Sequence, residues 1–260
     1  MFVKNDEFDV TICDDERFDI VNDGVRLIQK KQGLTFGTDA LLLAGYIPQR
    51  KDRVAVELGG GTGIISFLLL SRNKVERVWV YEIQESFAQL IQRNAFLNEM
   101  EDRIGVICKD IRNAAPADTM GEVDIVFSNP PYMRRGSGRV NHNDEKTVAR
   151  HEVFGGIDDF CAAAARLLRY GGDFYAVYPP DRTAELFDAM KKNGIEPKRL
   201  TVVYPDIDSR PCLILCMGKK GGNPGMTVTP GLFIKKNGVS GEEYEYIMQN
   251  GEFNELYKKI

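Results

Sequence analysis

Between residues 53 and 218 the chain repeats one pattern, a short run of β-branched and aromatic residues followed by a stretch whose apolar positions recur at helical spacing. Such alternation requires a sheet joined by crossing helices, because a parallel neighbour is reached only through a long connection that packs on one face. The spacing predicts strands at 53–58, 77–82, 104–109, 123–128, 173–178, 198–204 and 211–217, with helices near 63–72, 84–98, 157–169 and 181–193. In the second helix Phe87, Leu90, Ile91 and Ala95 share a face. Only Pro205 to Arg210 separate the last two strands, too little chain for a parallel crossover, so the final strand is expected to run antiparallel. The expected fold class is α/β, a seven-stranded sheet over residues 51–220.

Two segments flank it. Residues 1–50 read as an N-terminal extension in which 18–36 alternate around Lys30-Lys31-Gln32-Gly33, predicting a hairpin that turns there. Asp39 is then expected to cap an apolar helix of Leu41 to Ile47 that ends at Pro48. Residues 221–260, after Gly221-Gly222-Asn223-Pro224-Gly225, read as an appendage of a small strand pair and a helix. A Ser240-x-x-Glu243 capping box is expected to open that helix, and Tyr244, Ile247 and Met248 to dock it.

Composition excludes several classes. With 260 residues, 43% hydrophobic and 28% charged, the chain is neither disordered, collagenous nor a disulfide scaffold. The longest apolar run, Ala40 to Ile47, is far short of the roughly 20 residues of a membrane span. Acidic residues occupy the N-terminus where a secretory signal would be basic and apolar, so a cytoplasmic location is expected. Five scattered cysteines without a CxxC and only two histidines predict free core thiols and no metal centre.

The first predicted strand ends in Glu57-Leu58-Gly59-Gly60-Gly61-Thr62-Gly63 and opens directly into a helix. Glycines at the carboxyl end of the first strand of an α/β sheet let the backbone approach a ligand closely. The spacing is not G-x-G-x-x-G, since Gly63 follows Gly61 after one residue and Ile64 stands where the third glycine of a dinucleotide loop belongs. No Gly-Lys-Ser/Thr follows, which excludes a P-loop. Glu82 closes the next strand, where an acid accepts hydrogen bonds from both ribose hydroxyls of a nucleoside. Asp110 closes the third, although an acid there equally serves as a helix cap. Three acids at successive strand ends are awkward for a pyrophosphate but suit a ligand with a cationic centre, an amino group and a ribose, the features of S-adenosylmethionine.

The fourth strand runs into Asn129-Pro130-Pro131-Tyr132. Two prolines fix the backbone and remove two donors, leaving carbonyls as acceptors. An amino group conjugated to a purine is a poor nucleophile because its lone pair is delocalised. The Asn129 side-chain oxygen and the Pro130 carbonyl can each accept one of its N–H groups and turn the nitrogen toward a methyl sulfonium, with no general base. Tyr132 offers a face for stacking a planar target.

ELGGGTG, Glu82, Asp110 and NPPY together resemble the class I S-adenosylmethionine-dependent methyltransferases that act on planar amino groups. That resemblance implies a Rossmann-like methyltransferase sheet. The segment Phe36-Gly37-Thr38-Asp39-Ala40-Leu41-Leu42-Leu43 is more discriminating, and over about residues 18–220 the chain resembles the bacterial tRNA1(Val) (adenine-37 N6)-methyltransferases. The resemblance implies S-adenosyl-L-methionine as cofactor and transfer of a methyl group to the exocyclic N6 of adenine in tRNA. It implies cofactor contacts at Thr38, Asp39, Glu57, Gly59, Gly61, Gly63, Glu82, Ile83, Asp110, Ile111 and Asn129. Asn129, Pro130, Pro131 and Tyr132 would form the catalytic tetrapeptide. Glu57 and the three consecutive glycines depart from the family, in which Asp and a mixed Gly/Ser loop are commoner. The same tetrapeptide is shared by protein-glutamine N5-methyltransferases acting on release factors, and by other rRNA or DNA amino-group methyltransferases.

Charge distribution bears on the partner. The net charge of −4 argues against nucleic acid only in bulk. The first 23 residues hold eight acids and two bases, so the remainder carries +2. Residues 133–151 hold Arg134, Arg135, Arg139, Lys146 and Arg150 against Asp144 and Glu145, a basic stretch beside NPPY that suits the phosphates of tRNA. Lys191-Lys192, Lys198-Arg199 and Lys219-Lys220 are candidates to extend that surface, though such pairs also serve as solvated caps. His142 and His151 are expected to meet phosphate or solvent rather than act as catalysts.

Overall fold

The computed structural model describes residues 10–31, 36–131 and 155–258. The predicted strands form as β3 (Val54–Leu58), β4 (Arg77–Glu82), β5 (Ile104–Cys108), β6 (Val123–Ser128), β7 (Leu168–Tyr178), β8 (Ile195–Tyr204) and β9 (Leu213–Lys220). They follow β1 (Glu16–Ile20) and β2 (Arg26–Lys30). Strand order runs β8-β9-β7-β6-β3-β4-β5, with β9 antiparallel to both neighbours as its short connection requires. Two short strands, β10 (Thr227–Val228) and β11 (Leu232–Phe233), pair in parallel with β8 and bring the sheet to nine strands. A separate pair, β12 (Lys235–Lys236) and β13 (Val239–Ser240), follows.

Helices cover both faces. On one lie α1 (Thr38–Tyr46), α2 (Ile64–Ser71) and α3 (Glu85–Leu97), and α6 (Glu242–Asn250) docks there through buried Ile247 with Tyr244 and Met248 packed beside it. On the other lie α4 (Ile157–Leu167) and α5 (Thr183–Lys192). Strand side chains alternate between these cores, with Ala55, Ile125 and Tyr175 on the first and Val56, Val126 and Phe174 on the second. Phe253 and Tyr257, the latter on α7 (Glu255–Lys258), close the first core against Tyr46.

The hairpin differs from expectation. It turns at Asn22–Gly24 rather than at residues 30–33, because Asn-Asp-Gly has the stronger turn chemistry and β1–β2 register pairs Glu16 with Lys30. Its acidic strand is ion-paired: Arg93 and Lys30 hold the Glu16 carboxyl down at about 2, the Arg93 hydrogen bond being the main cause. The other edge of β2 meets two amides one helical turn apart, Asn94 in α3 and Asn98 at its C-cap. Asn94 accepts from the Ile28 N–H (2.7 Å) and donates to the Ile28 carbonyl (3.0 Å), and Asn98 does the same for Arg26 (2.8 and 2.7 Å). The i, i+4 repeat of the helix thus matches the i, i+2 repeat of the strand, and the edge is satisfied as if by another strand.

Two expected caps are absent. Gly37, not Asp39, is the N-cap of α1, and the Asp39 side chain turns elsewhere. Gly241 caps α6 without the Ser240 box, while the Glu243 carboxylate accepts from the backbone and side-chain amide of Asn254. Lys198-Arg199 is not a surface pair. Arg199 is buried, lies 4.1 Å from the Tyr46 ring centroid, and donates to the Tyr46 and Lys258 carbonyls. Lys192 and Lys219 are engaged with Asp158 and Asp173, and Lys220 donates to the Leu168 carbonyl.

Loss of the buried Asn94 amide would leave the Ile28 N–H and carbonyl unpaired, so Asn94→Ala should lower the unfolding free energy by about 2–4 kcal/mol. Asn98→Ala, at a half-buried site, should cost about 1–2 kcal/mol. Urea denaturation of the two variants checks the order.

Candidate active site

β3 pairs in parallel with β4 on one side and β6 on the other, and the helices leaving these strands go to opposite faces. Winding reverses between β3 and β6. At such a reversal the carboxyl ends of the strands border a crevice that no crossing helix fills. The candidate residues stand along this edge: Asn129 after β6, the glycine loop after β3, Glu82 and Ile83 at the end of β4, and Asp110 and Ile111 beyond β5.

The loop is held to β4 by two hydrogen bonds onto one acceptor, from the Gly59 and Gly60 N–H groups to the Tyr81 carbonyl (2.9 and 3.0 Å). A side chain at Gly60 would collide with Val80, its Cβ falling 2.2 Å from Cγ1. At Gly61, φ is +55° and the space a Cβ would occupy is open. The Gly61 N–H donates to Glu82 Oε2 (2.9 Å), and the Gln84 N–H to Glu82 Oε1 (2.9 Å). Loop and acid are therefore one unit. Each carboxylate oxygen keeps a further lone pair with which to accept a hydroxyl.

The three acids are not equivalent. Glu57 lies inside β3 and is fully buried on the α2 side, accepting from the hydroxyl of buried Ser66. Burial pushes its carboxyl up to about 8. Glu82 terminates β4 as expected. Asp110 caps a short 3-10 turn, Ile111–Asn113, by accepting from the Arg112 N–H (2.8 Å). The Arg112 guanidinium, bonded to its carboxylate, holds Asp110 below the usual carboxylate range. Arg166 of α4, to which the sequence pattern assigns no part in the site, pins this turn by donating to the Ile111, Arg112 and Ala114 carbonyls.

At the β6 end, the Ser128 hydroxyl donates to the Leu58 carbonyl (2.7 Å), so the strand is tied to β3 just before Asn129. The Asn129 Nδ2 group donates to Asp39 Oδ2 (2.8 Å), joining the first turn of α1 to the tetrapeptide across 90 positions of sequence. Thr38 and Asp39 are half-buried there. Pro130 is buried and Pro131 exposed. Tyr132, Arg134, Arg135, Arg139, Lys146 and Arg150 lie outside the described residues, as do His142 and His151.

The profile of the methyltransferase small domain matches residues 30–193, more than half of the chain. The chain belongs to the methyltransferase small domain family. Among curated proteins it is similar to the tRNA1(Val) (adenine(37)-N6)-methyltransferase of Bacteroides fragilis, at 26% identity over 207 residues covering 80% of this chain and 81% of that protein. The protein of the same name from Porphyromonas gingivalis is 30% identical over 181 residues, covering 66% of each chain. The fold resembles a crystal structure described as a predicted O-methyltransferase, Atu636 from Agrobacterium tumefaciens. There the TM-score is 0.65 and the identity 22%, with 82% of this chain and 96% of that one covered. As a methyltransferase small domain, the chain has its glycine loop where the sequence pattern predicts it, at the carboxyl end of β3. Among the described residues no helix is long and apolar enough to cross a membrane.

Because the fold favours the neutral Glu57 carboxyl, its contribution to stability is fully present below the ordinary value of 4.5 and is lost as pH rises toward about 8. Glu57→Gln, isosteric and neutral, should flatten that part of the pH profile of unfolding free energy. Parallel profiles for wild type and variant would contradict the assignment.

Proposed function

We propose that this chain is an S-adenosylmethionine-dependent methyltransferase that modifies the exocyclic N6 of adenine in tRNA, with adenine-37 of a valine tRNA as the specific target. The observation that carries the reading is the placement of Asn129-Pro130 beside the Gly61–Glu82 unit at the sheet reversal.

The donor set fits the cofactor. Glu82 supplies carboxylate lone pairs suited to a ribose diol, and Gly61 leaves open the space that a Cβ would fill. Ile83 and Ile111 would flank the adenine, with Asp110 at its edge. Gly59, Gly63 and Glu57 shape the loop, and Thr38 and Asp39 would border the methionine end. When bound, S-adenosylmethionine supplies a methyl group activated by a sulfonium.

The chain's own contribution is then positioning. The Asn129 Oδ1 atom and the Pro130 carbonyl each accept one N–H of the target amine, which localises its lone pair toward the methyl group. Held in this way by Asn129 and Pro130, the amine would take the methyl group as the sulfonium gives it up, and its surplus proton would pass to solvent. Interactions that strengthen only as the nitrogen becomes nucleophilic raise the rate rather than ground-state binding. An adenine in an anticodon loop is largely single-stranded, so turning it into a pocket costs less than flipping it from a duplex. Tyr132 would stack on that base, and Arg134, Arg135, Arg139, Lys146 and Arg150 would hold the phosphates, on the strength of the sequence alone.

Incubation with tritiated cofactor should label tRNA lacking the modification, and mass spectrometry of digested tRNA should locate N6-methyladenosine at position 37. Label confined to a release factor would instead favour glutamine methylation. Asn129→Ala should lower kcat by about a hundredfold or more with cofactor affinity largely kept. Because the basic residues proposed for tRNA cluster in one short stretch of sequence, the salt dependence of tRNA binding should be shallow, and a slope implying ten or more phosphate contacts would contradict it.

A further inference from the structure

A side-chain amide has two faces of similar shape and opposite hydrogen-bonding sense. Asn129 can serve as an acceptor for an amine only if its oxygen, and not its NH2 group, is presented to the target. Rotation about the terminal torsion of an asparagine is soft, so the residue needs a partner that distinguishes the two ends.

Asp39 is that partner. An ionised carboxylate has no proton to donate, so it bonds only the NH2 end of the amide. The contact is direct, Nδ2 to Oδ2 at 2.8 Å. Its geometry is set by α1, whose first turn reaches Asn129 across 90 positions of sequence. Gly37 leaves room for the carboxylate, since a Cβ there would stand 2.7 Å from Asp39 Oδ1. At its other end α1 is anchored by buried Lys74, whose ammonium donates to the Ala44, Gly45 and Ile47 carbonyls (2.8, 3.1 and 2.6 Å). Asp39 also sits in the first turn of α1, where the helix dipole favours negative charge.

We propose that Asp39 is a positioning residue for methyl transfer, its carboxylate holding the Asn129 amide with NH2 toward α1 and Oδ1 turned away from Asp39 to accept from the target amine. This rests on the functional reading above and assigns Asp39 a role beyond bordering the cofactor. Asp39 touches neither target nor methyl group; it acts through Asn129. A reversed amide would set Oδ1 against the carboxylate and offer the target a donor in place of an acceptor.

The pair can be exchanged without loss of its chemistry. Asn129→Asp alone places two carboxylates against each other, and one must take a proton or withdraw. Adding Asp39→Asn restores one donor and one acceptor between the two positions, and leaves a carboxylate oxygen at 129 for the amine. The expected kinetics on unmodified tRNA are a fall in kcat, measured at saturating S-adenosylmethionine, of about tenfold or more for Asp39→Ala. Asn129→Asp should be slower still, and the Asp39→Asn/Asn129→Asp double variant should regain about tenfold over it. A double variant no faster than Asn129→Asp, or an Asp39→Ala variant with unchanged kcat at saturating cofactor, would overturn the proposal.

A second measurement needs no substrate. The Asn129 NH2 pair, assigned in 1H–15N spectra by its absence from Asn129→Asp, should lose its downfield, hydrogen-bonded proton in Asp39→Ala; unchanged signals would overturn the orientation. A wild-type protein that methylates no RNA would defeat the functional reading, and the spectra would still decide whether Asp39 orients the amide.

Discussion

Parallel pairing of β3 with both β4 and β6 is the constraint on which the site depends. Because the crossing helices from the two sides go to opposite faces, none can lie over the carboxyl ends of β3 and β6. Backbone groups there are open to a ligand, and the chain meets them with glycines, an acid and prolines. Helix-forming residues with bulky side chains at Gly59 to Gly61 would close the crevice, and at Gly60 would strike Val80. Hydrogen bonds from the loop to the Tyr81 carbonyl and the Glu82 carboxylate then make one rigid body of the β3 and β4 ends.

A second set of interactions brings α1 to this edge. Lys74 satisfies carbonyls at the end of α1 that the helix itself leaves without partners. Arg199 covers the ring of Tyr46 and bonds its carbonyl, and Phe253 meets the same ring at 5.3 Å. Residues from the sheet and from the C-terminal segment therefore grip one end of a nine-residue helix, and its other end delivers Asp39 to Asn129. Buried cations of this kind are tolerated because each is surrounded by carbonyl oxygens or an aromatic face, which replace lost hydration.

The hairpin is attached by a different principle. Its β2 edge would otherwise expose unpaired peptide groups, and the amides of Asn94 and Asn98 stand in for a neighbouring strand. Part of the N-terminal acidity, which in bulk argues against a polyanionic partner, is absorbed in the same place. Asp15 and Glu16 are paired with Lys30, and Glu16 also with Arg93, rather than projecting a free negative field.

Sheet, helices, antiparallel last strand, glycine loop and the Asn-Pro-Pro segment ending β6 were all legible in the sequence. Each depends on local periodicity, connection length or residue types that restrict the backbone, and these act over a few neighbours. Besides the hairpin turn, which falls at Asn22–Gly24, what the linear pattern misassigned were polar side chains with more than one available partner. Asp39 reads as a helix cap and bonds Asn129; Ser240 and Glu243 read as a capping box, yet Glu243 holds Asn254; Arg199 reads as surface charge and is buried under Tyr46. Glu57 reads as a strand-end acid but faces the interior with Ser66. A hydrogen bond or ion pair is chosen by which groups the packed chain brings within about 3 Å, and no sequence spacing encodes that distance. The sequence by itself determined the kind of sheet and the glycines, Glu82 and prolines at the carboxyl ends of its strands. Only the tertiary structure decided their partners, because pairing across 90 residues follows the meeting of helix and strand ends in three dimensions.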